Sequence, residues 1–437
     1  MNRYRQLLSS MDLPTFGAVI ALTIIGIMSI FSSNVNAEGV IVSSDYVKQV
    51  MWAVVGLAMM LALVAVDYRQ LKDLSVFLYV FLIVVLVYTR FFGKVVNGAR
   101  SWIGIGDLGI QPSEFMKIAV ILFLARYLEN SGHEDDVKRI AKSFAIVLLP
   151  VGLILISPDL GTSLVFFPIL FFMLVVAGIE RSLLVFLGLV VAAMIGLTIL
   201  PLWEKYILAH PTRFVFLFYQ EPWEYVVLGV LALVFGLALW GRISFKKNYY
   251  FWIAYAVLAL GIGLGLSIVA HKVLKDYQVM RLIVFLDPAI DPRGSGWNII
   301  QSTTAIGSGG FAGRGFLEGP QSHNNYIPQQ STDFIFSIIA EEWGFLGGVF
   351  VFGLFWLILH RCTAIMEMVR DRFATYVVAG IMGMVFFHFL INSGMAMGIM
   401  PITGIPLLFL SYGGSSLLTV MAAMGIVLGI SARRYQS

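Results

Sequence analysis

Long apolar runs recur along this chain and leave few folds open to it. A stretch of ~20 apolar residues is long enough to cross a bilayer as a helix. Within lipid it must be helical, because no water is there to satisfy the backbone N–H and C=O groups. Twelve such stretches fall at about 14–33, 48–66, 73–92, 113–128, 143–157, 160–180, 182–200, 225–241, 250–270, 333–360, 374–397 and 405–431, the fourth and fifth being short. Charge agrees with that reading: 12% of the 437 residues are charged, about half the share expected of a soluble domain. The expected fold is all-α, a polytopic integral membrane protein of about twelve helices without a soluble domain of any size. The first run is too long for a signal peptide and no small-residue cleavage site clearly follows it, so it reads as a retained helix.

Orientation follows from the cations of the short connections. Arg3, Arg5, Arg69, Lys72, Arg126, Lys138, Arg139, Lys142, Arg181, Arg242, Lys246, Lys247, Arg361, Arg370, Arg372, Arg433 and Arg434 all fall on one set of alternate connections. That set fits the cytoplasm, with both termini inside. The opposite side holds three longer segments, 93–112, 201–224 and 271–332. A net charge of +4 suits contact with anionic lipid head groups better than nucleic acid. The single Cys362 excludes an internal disulfide, and no Cys/His spacing suggests a metal site. No repeat or linker divides the chain, so 1–437 reads as a single membrane domain. In 271–332, Trp297, Phe311, Phe316, Tyr326 and Ile327 stand among glycines and turn formers, which favours a folded loop over a disordered one.

Several polar residues sit where a membrane makes them costly. Glu114 and Lys117, three apart in QPSEFMK, share a helix face and are placed to pair. Asp159 in SPDLGTS suits a helix N-cap. Asp333 is placed to cap the tenth span, while Glu341 and Glu342 lie deeper in it. His388 and Asn392 share a face suited to hydrogen bonds between helices. Arg100 and Trp102, in NGARSWI, lie just outside the membrane, where Trp is a common interfacial anchor and Arg suits a phosphate. Asp291, in IDPRGSG, has Lys272, Lys275, Arg281, Arg293 and Arg314 around it in sequence; by itself an Asp before Pro is a turn residue.

One acid, several cations and a body open to lipid are compatible with glycosyl transfer from a lipid-linked pyrophosphate sugar. The pyrophosphate needs positive charge in order to leave. The incoming hydroxyl needs one general base, so an inverting transfer uses a single carboxylate where hydrolysis uses two.

At these residues the chain resembles the SEDS family of RodA/FtsW peptidoglycan polymerases. The resemblance rests on NGARSWI, QPSEFMK, SPDLGTS, RLIVFLDPAIDPRGSGWNIIQS, AIGSGGFAGRG, STDFIFSIIAEEWG and MPITGIPLLFLSYGGSS, in family order from about residue 10 to the C-terminus. FLDP…DP together with TGIPLLFLSYGGSS is more similar to the RodA branch. The resemblance implies polymerisation of lipid II at the outer face of the cytoplasmic membrane. It implies Asp291 as the base that deprotonates the acceptor 4-hydroxyl, inversion at the donor sugar, and undecaprenyl pyrophosphate as leaving group. Arg100, Lys117 and Arg281 become candidates for the pyrophosphate or for shaping the cavity, with Trp102, Glu114 and Asp159 in less defined roles. Ser411, Tyr412, Gly413, Gly414 and Ser415 fall on SYGGSS. A class B penicillin-binding protein, a monofunctional transpeptidase, is the implied partner, alongside other membrane proteins of the elongation machinery. Divalent-cation assistance by Mg²⁺ or Mn²⁺ is left open.

Trp297 stands where the family commonly has Tyr, and Ser331 where it often has His. The family plan has ten helices, which makes 202–270 an inserted helical pair before the catalytic loop 271–332. Two other functions fit parts of the pattern. A lipid II flippase would use the intramembrane acids Glu341 and Asp159. Another polyprenyl-linked glycan polymerase or ligase would share the leaving group.

Overall fold

The structure is a computed structural model and describes residues 10–96, 99–105, 108–208, 215–274, 276–324 and 326–434. Arg3, Arg5 and Lys275 lie outside the described residues. The elements in chain order are α1 (Leu13–Ser33), α2 (Asp45–Ala65) and α3 (Tyr68–Phe92), then the strands β1 (Lys94–Val96), β2 (Ala99–Ile105) and β3 (Leu108–Ile110). There follow α4 (Pro112–Asn130), α5 (Asp136–Ile156), α6 (Leu160–Val176), α7 (Arg181–Tyr206), α8 (Trp223–Phe245) and α9 (Asn248–Val273). The chain continues through α10 (Asp276–Leu286), α11 (Ser295–Gly309), α12 (Pro320–His323), α13 (Ile335–Met368), α14 (Arg372–Ala396) and α15 (Gly414–Ala432).

A helix stands at each of the twelve apolar runs, and among the described residues 10 helices are long and apolar enough to cross a membrane. The two that fall short are α4, interrupted by Glu114, Lys117, Arg126 and Glu129, and α6, with 17 residues. One correction concerns the last span, expected at 405–431. Its helix begins at Gly414, because Pro401 and Pro406 remove N–H donors and Gly404 and Phe409 take positive φ, +71° and 69°. Residues 401–407 are irregular, with Ile402, Ile405 and Leu407 buried in protein, the setting in which non-helical backbone is tolerated in a membrane protein. The segment 271–332 holds the end of α9 together with α10, α11 and α12.

The chain divides into two compact units, Met1–Gly178 with Asn298–Ser437, and Ile179–Trp297. In the first unit α15 is buried along its whole length and packs on α2. Glycine makes that approach close: a Cβ at Gly425 would lie 2.6 Å from Met60 O, the small-residue contact that lets membrane helices associate. The pairs α14–α6, α3–α4 and α1–α13 complete the unit. Asp12 caps α1 through Thr15 N (3.1 Å) and is paired with the Arg361 guanidinium of α13. Burial pushes the Asp12 carboxyl up, but its bonds to Arg361 and Thr15 outweigh this and hold it below the usual value. In the second unit α8 and α9 form an antiparallel hairpin with α7 packed on α9, and Tyr255 donates to Ser182 O (2.5 Å).

Helix α13 is broken at Gly344 (φ 64°, ψ −159°). The break removes the bonds that the N–H groups of Phe345 and Leu346 would make to Glu341 O and Glu342 O, and the loop after α11 supplies all four replacements. Phe345 N donates to Gly310 O (2.9 Å) and Leu346 N to Phe311 O (3.2 Å), while Arg314 N donates to Glu341 O and Gly315 N to Glu342 O (both 3.0 Å). Side chains on Gly313 (φ +86°) or Gly344 would collide with the opposing backbone. The glycines of AIGSGGFAGRG therefore let a loop stand in for one turn of helix, with the buried backbone still satisfied.

Candidate functional site

The QPSEFMK motif opens α4, with Pro112 at the first helical position, where a missing N–H costs nothing. Just before it, Gln111 joins two other motifs: its backbone N donates to Ser415 Oγ (2.9 Å) and its Nε2 to Asp159 Oδ2 (2.7 Å). Asp159 caps α6, accepting Thr162 N (3.1 Å) and Thr162 Oγ1 (2.8 Å), as its sequence setting predicts. QPSEFMK, SPDLGTS and SYGGSS thus meet at one residue that sequence reasoning did not single out.

One turn into α4, Lys117 is fully buried, and its Nζ lies 2.8 Å from Glu114 Oε2 and 3.2 Å from His388 Nε2. Nδ1 of His388 faces Pro406 O at 2.9 Å. Donation from Nδ1 to that carbonyl leaves Nε2 as an acceptor for the ammonium. Asn392, one turn along α14, donates to Ile405 O and Asp333 O (both 2.8 Å). The expected Glu114–Lys117 pair forms, and His388 and Asn392 bond between segments. Asp333 does not occupy the cap of α13: the N-cap residue is Phe334, because the helix starts later than the apolar run.

A small, partly open pocket lies in the same unit, lined by Leu86, Thr89, Arg100, Ser101, Ser113, Ile154, Ser157 and Asp159. Arg100 is exposed on β2, and its Nη1 donates to Phe91 O (3.2 Å). Trp102 is half-buried on the same strand, with its ring against Gly109 of β3. Ser113 Oγ is buried there without a hydrogen-bond partner. A guanidinium and three serine hydroxyls form a donor-rich wall suited to oxyanions, while the Asp159 carboxylate is engaged by Gln111 and Thr162. Neither Ser101, Ser113, Ser157 nor His388 was proposed from sequence as part of this site. Ser101, Gln111, Ser113 and Ser157 all belong to quoted motifs, which were the available signal.

Apart from Ser415, the SYGGSS residues make other contacts. Ser411 is buried and accepts Leu407 N (2.9 Å), Tyr412 N donates to Ser331 O (2.8 Å), and Gly413 N donates to Gln49 Oε1 (3.3 Å). A Cβ on Gly414 would lie 2.5 Å from the Trp52 indole. The motif thus turns the irregular segment 401–413 into α15. Glu341 and Glu342 are also engaged. Glu341 accepts Gln321 N (2.8 Å) and Ser322 N (3.1 Å) at the start of α12, and Glu342 accepts Ser32 Oγ and Leu317 N (3.3 Å).

Asp291 and Arg281 belong to the second unit, Arg281 on α10. A 3-10 turn, Pro288–Ile290, is capped by Asp287, which accepts Ala289 N (2.9 Å). Asp291 closes that turn, and its carbonyl accepts Gly296 N (3.0 Å) and Gly294 N (3.3 Å). The half-exposed carboxylate folds over Gly294, where a Cβ would collide with both of its oxygens. A Cβ on Gly296 would collide with Pro288 O. Both glycines of DPRGSG are therefore required by the seat of the acid. Of the neighbouring cations, Arg293 is exposed, while Lys272 is held by Glu221 (3.2 Å) and Tyr225 Oη (2.9 Å). Among the described residues no group of three His, Cys, Asp or Glu side chains is placed to hold a metal ion.

Residues 13–229 and 226–436 match the FTSW_RODA_SPOVE family, described as cell cycle protein. The chain is 49% identical over 416 residues to the peptidoglycan glycosyltransferase RodA of Treponema pallidum, covering 95% of this chain and 96% of that one. It is 30% identical over 380 residues to the peptidoglycan glycosyltransferase MrdB of Escherichia coli K12, covering 87% and 83%. A solved chain from work on the coordination of polymerization and crosslinking by a peptidoglycan synthase complex matches with a TM-score of 0.67 at 28% identity, covering 98% of this chain and 99% of that one. RodA of Thermus thermophilus matches at 24% identity with a TM-score of 0.59 and 98% coverage of both chains, a likeness of fold.

Proposed function

Because the chain belongs to the FtsW/RodA/SpoVE family of cell cycle proteins, we propose that it is a peptidoglycan glycosyltransferase polymerising lipid II into β-1,4 glycan strands. Asp291 takes the proton of the acceptor 4-hydroxyl, and that oxygen attacks C1 of the donor sugar. The bond from C1 to the pyrophosphate oxygen breaks with inversion from α to β, and undecaprenyl pyrophosphate leaves. Cations stabilise the charge that develops on the leaving group. Arg100 is the first candidate, since the donor-rich pocket beside it suits phosphate oxygens, and Arg281 is the second. Lys117 acts indirectly, by holding α4 against the 401–413 segment through His388.

The seating of Asp291 carries the reading. A half-exposed carboxylate over a glycine, in a turn that two glycines keep clear, suits a base that must reach a substrate hydroxyl. The relatives' names point the same way. The reaction is assigned to the outer face of the cytoplasmic membrane, with both termini inside. A class B penicillin-binding protein is the proposed partner, in keeping with the crosslinking named for the similar complex.

The test is polymerisation of lipid II by purified wild type and Asp291→Asn with the partner present. Loss of a general base lowers the rate by about 10²–10⁴-fold, with insertion and melting unchanged. Normal polymer from Asp291→Asn would overturn the assignment. The same assay with and without Mg²⁺ or Mn²⁺ decides whether a divalent cation assists the leaving group.

A further inference from the structure

The tip of the α8–α9 hairpin carries chemistry that the proposed reaction does not use. From Tyr225 to Leu274 the sequence contains no carboxylate, yet Arg242, Lys246 and Lys247 gather at the turn. All three are exposed, and among the described residues none has an ion-pair partner. Lys246 ends α8 in the left-handed region (φ 50°), which lets α9 begin two residues later. The Arg242 guanidinium lies over the Phe251 ring, 4.5 Å from its centroid, so one cation is already oriented. Trp240 and Trp252, 61% and 60% exposed, flank the turn, as tryptophans do at the level of lipid head groups. The opposite end of the hairpin differs, because there Lys272 is neutralised by Glu221.

We propose that this tip binds the headgroup phosphate of an anionic phospholipid. Charge complementarity argues for that occupant: three cations without a local counter-ion sit where an aromatic pair marks the interface. A zwitterionic headgroup offers the same phosphate but carries its own compensating charge. Near a membrane surface each cation contributes roughly a fivefold preference for anionic lipid, on the order of 100-fold for three.

The experiment uses the full chain in vesicles of equal phosphatidylglycerol and phosphatidylcholine, extracted gently, with co-purified lipid counted by mass spectrometry. Wild type is expected to be enriched in phosphatidylglycerol. The triple variant R242Q/K246Q/K247Q loses at least about tenfold of that enrichment, while K246R/K247R retains it. Equal enrichment in wild type and the triple variant would overturn the proposal, as would wild type that holds both lipids alike. Should the triple variant fail to insert, wild type is washed in rising salt. Screening between about 0.1 M and about 1 M shortens the reach of charge from ~10 Å to ~3 Å, so enrichment falls; enrichment unchanged by salt overturns the proposal.

Discussion

At the residue scale, several buried charged groups of this protein depend on the partners packed against them. Lys117 has Glu114 and His388, and the side chains of Lys117 and Glu114 are 0% and 5% exposed. Removing one partner strands a buried charge, at about 3–5 kcal/mol. Glu114→Gln is therefore expected to destabilise strongly, and Glu114→Gln with Lys117→Met much less than the sum of the two single changes. Thermal unfolding in detergent across that double-mutant cycle checks the coupling. Asp12 provides a pH test. Its folded carboxyl lies below the usual 3.8, so its contribution is complete above that value and is lost as pH falls through the folded value. Melting temperature should drop at acid pH in wild type, and Asp12→Asn should remove that part of the drop.

At the element scale, glycine decides two features. Gly294 makes room for the Asp291 carboxylate, so Gly294→Ala leaves α10 and α11 intact but displaces the acid. Misplacement of a reacting group by about 1 Å can cost about 100-fold in rate, and the lipid II assay should show a loss of that order without a loss of melting temperature. Gly313 and Gly344 let the loop after α11 complete the broken turn of α13. Gly313→Ala forces a side chain into a left-handed, crowded position, at about 1–3 kcal/mol. Hydrogen exchange should then quicken at Arg314, Gly315, Phe345 and Leu346, the amides that cross the break, before it quickens elsewhere in α13.

At the scale of the whole molecule, the long apolar helices among the described residues make this a multi-pass membrane protein, and the proposed sidedness can be checked with one reagent. Cys362 is the single cysteine and is buried. In intact cells a membrane-impermeant maleimide should label Arg293→Cys and leave Lys246→Cys unlabelled until the membrane is opened. The reverse pattern would invert the proposed topology and remove the acid from the outer face.

Most of the helices were legible because lipid acts locally: each segment must satisfy its own backbone, so length and apolarity alone mark it. The same logic misled at 405–413, where the composition is apolar but prolines and positive φ angles prevent a helix, and the irregular backbone is satisfied by Asn392, His388 and Ser331 from elsewhere. Asp159 as a cap and Glu114 with Lys117 could be read from sequence, since each involves residues three apart. Gln111 between Asp159 and Ser415, or His388 beside Lys117, could not. The hydrogen bond from Ser32 to Glu342 spans 310 positions, and no pattern within either helix announces it. By itself, then, the sequence determined that the chain is helical in a membrane and which residues carry the family's motifs. The tertiary structure decided which buried polar groups satisfy one another, because their partners lie on helices brought together only by packing.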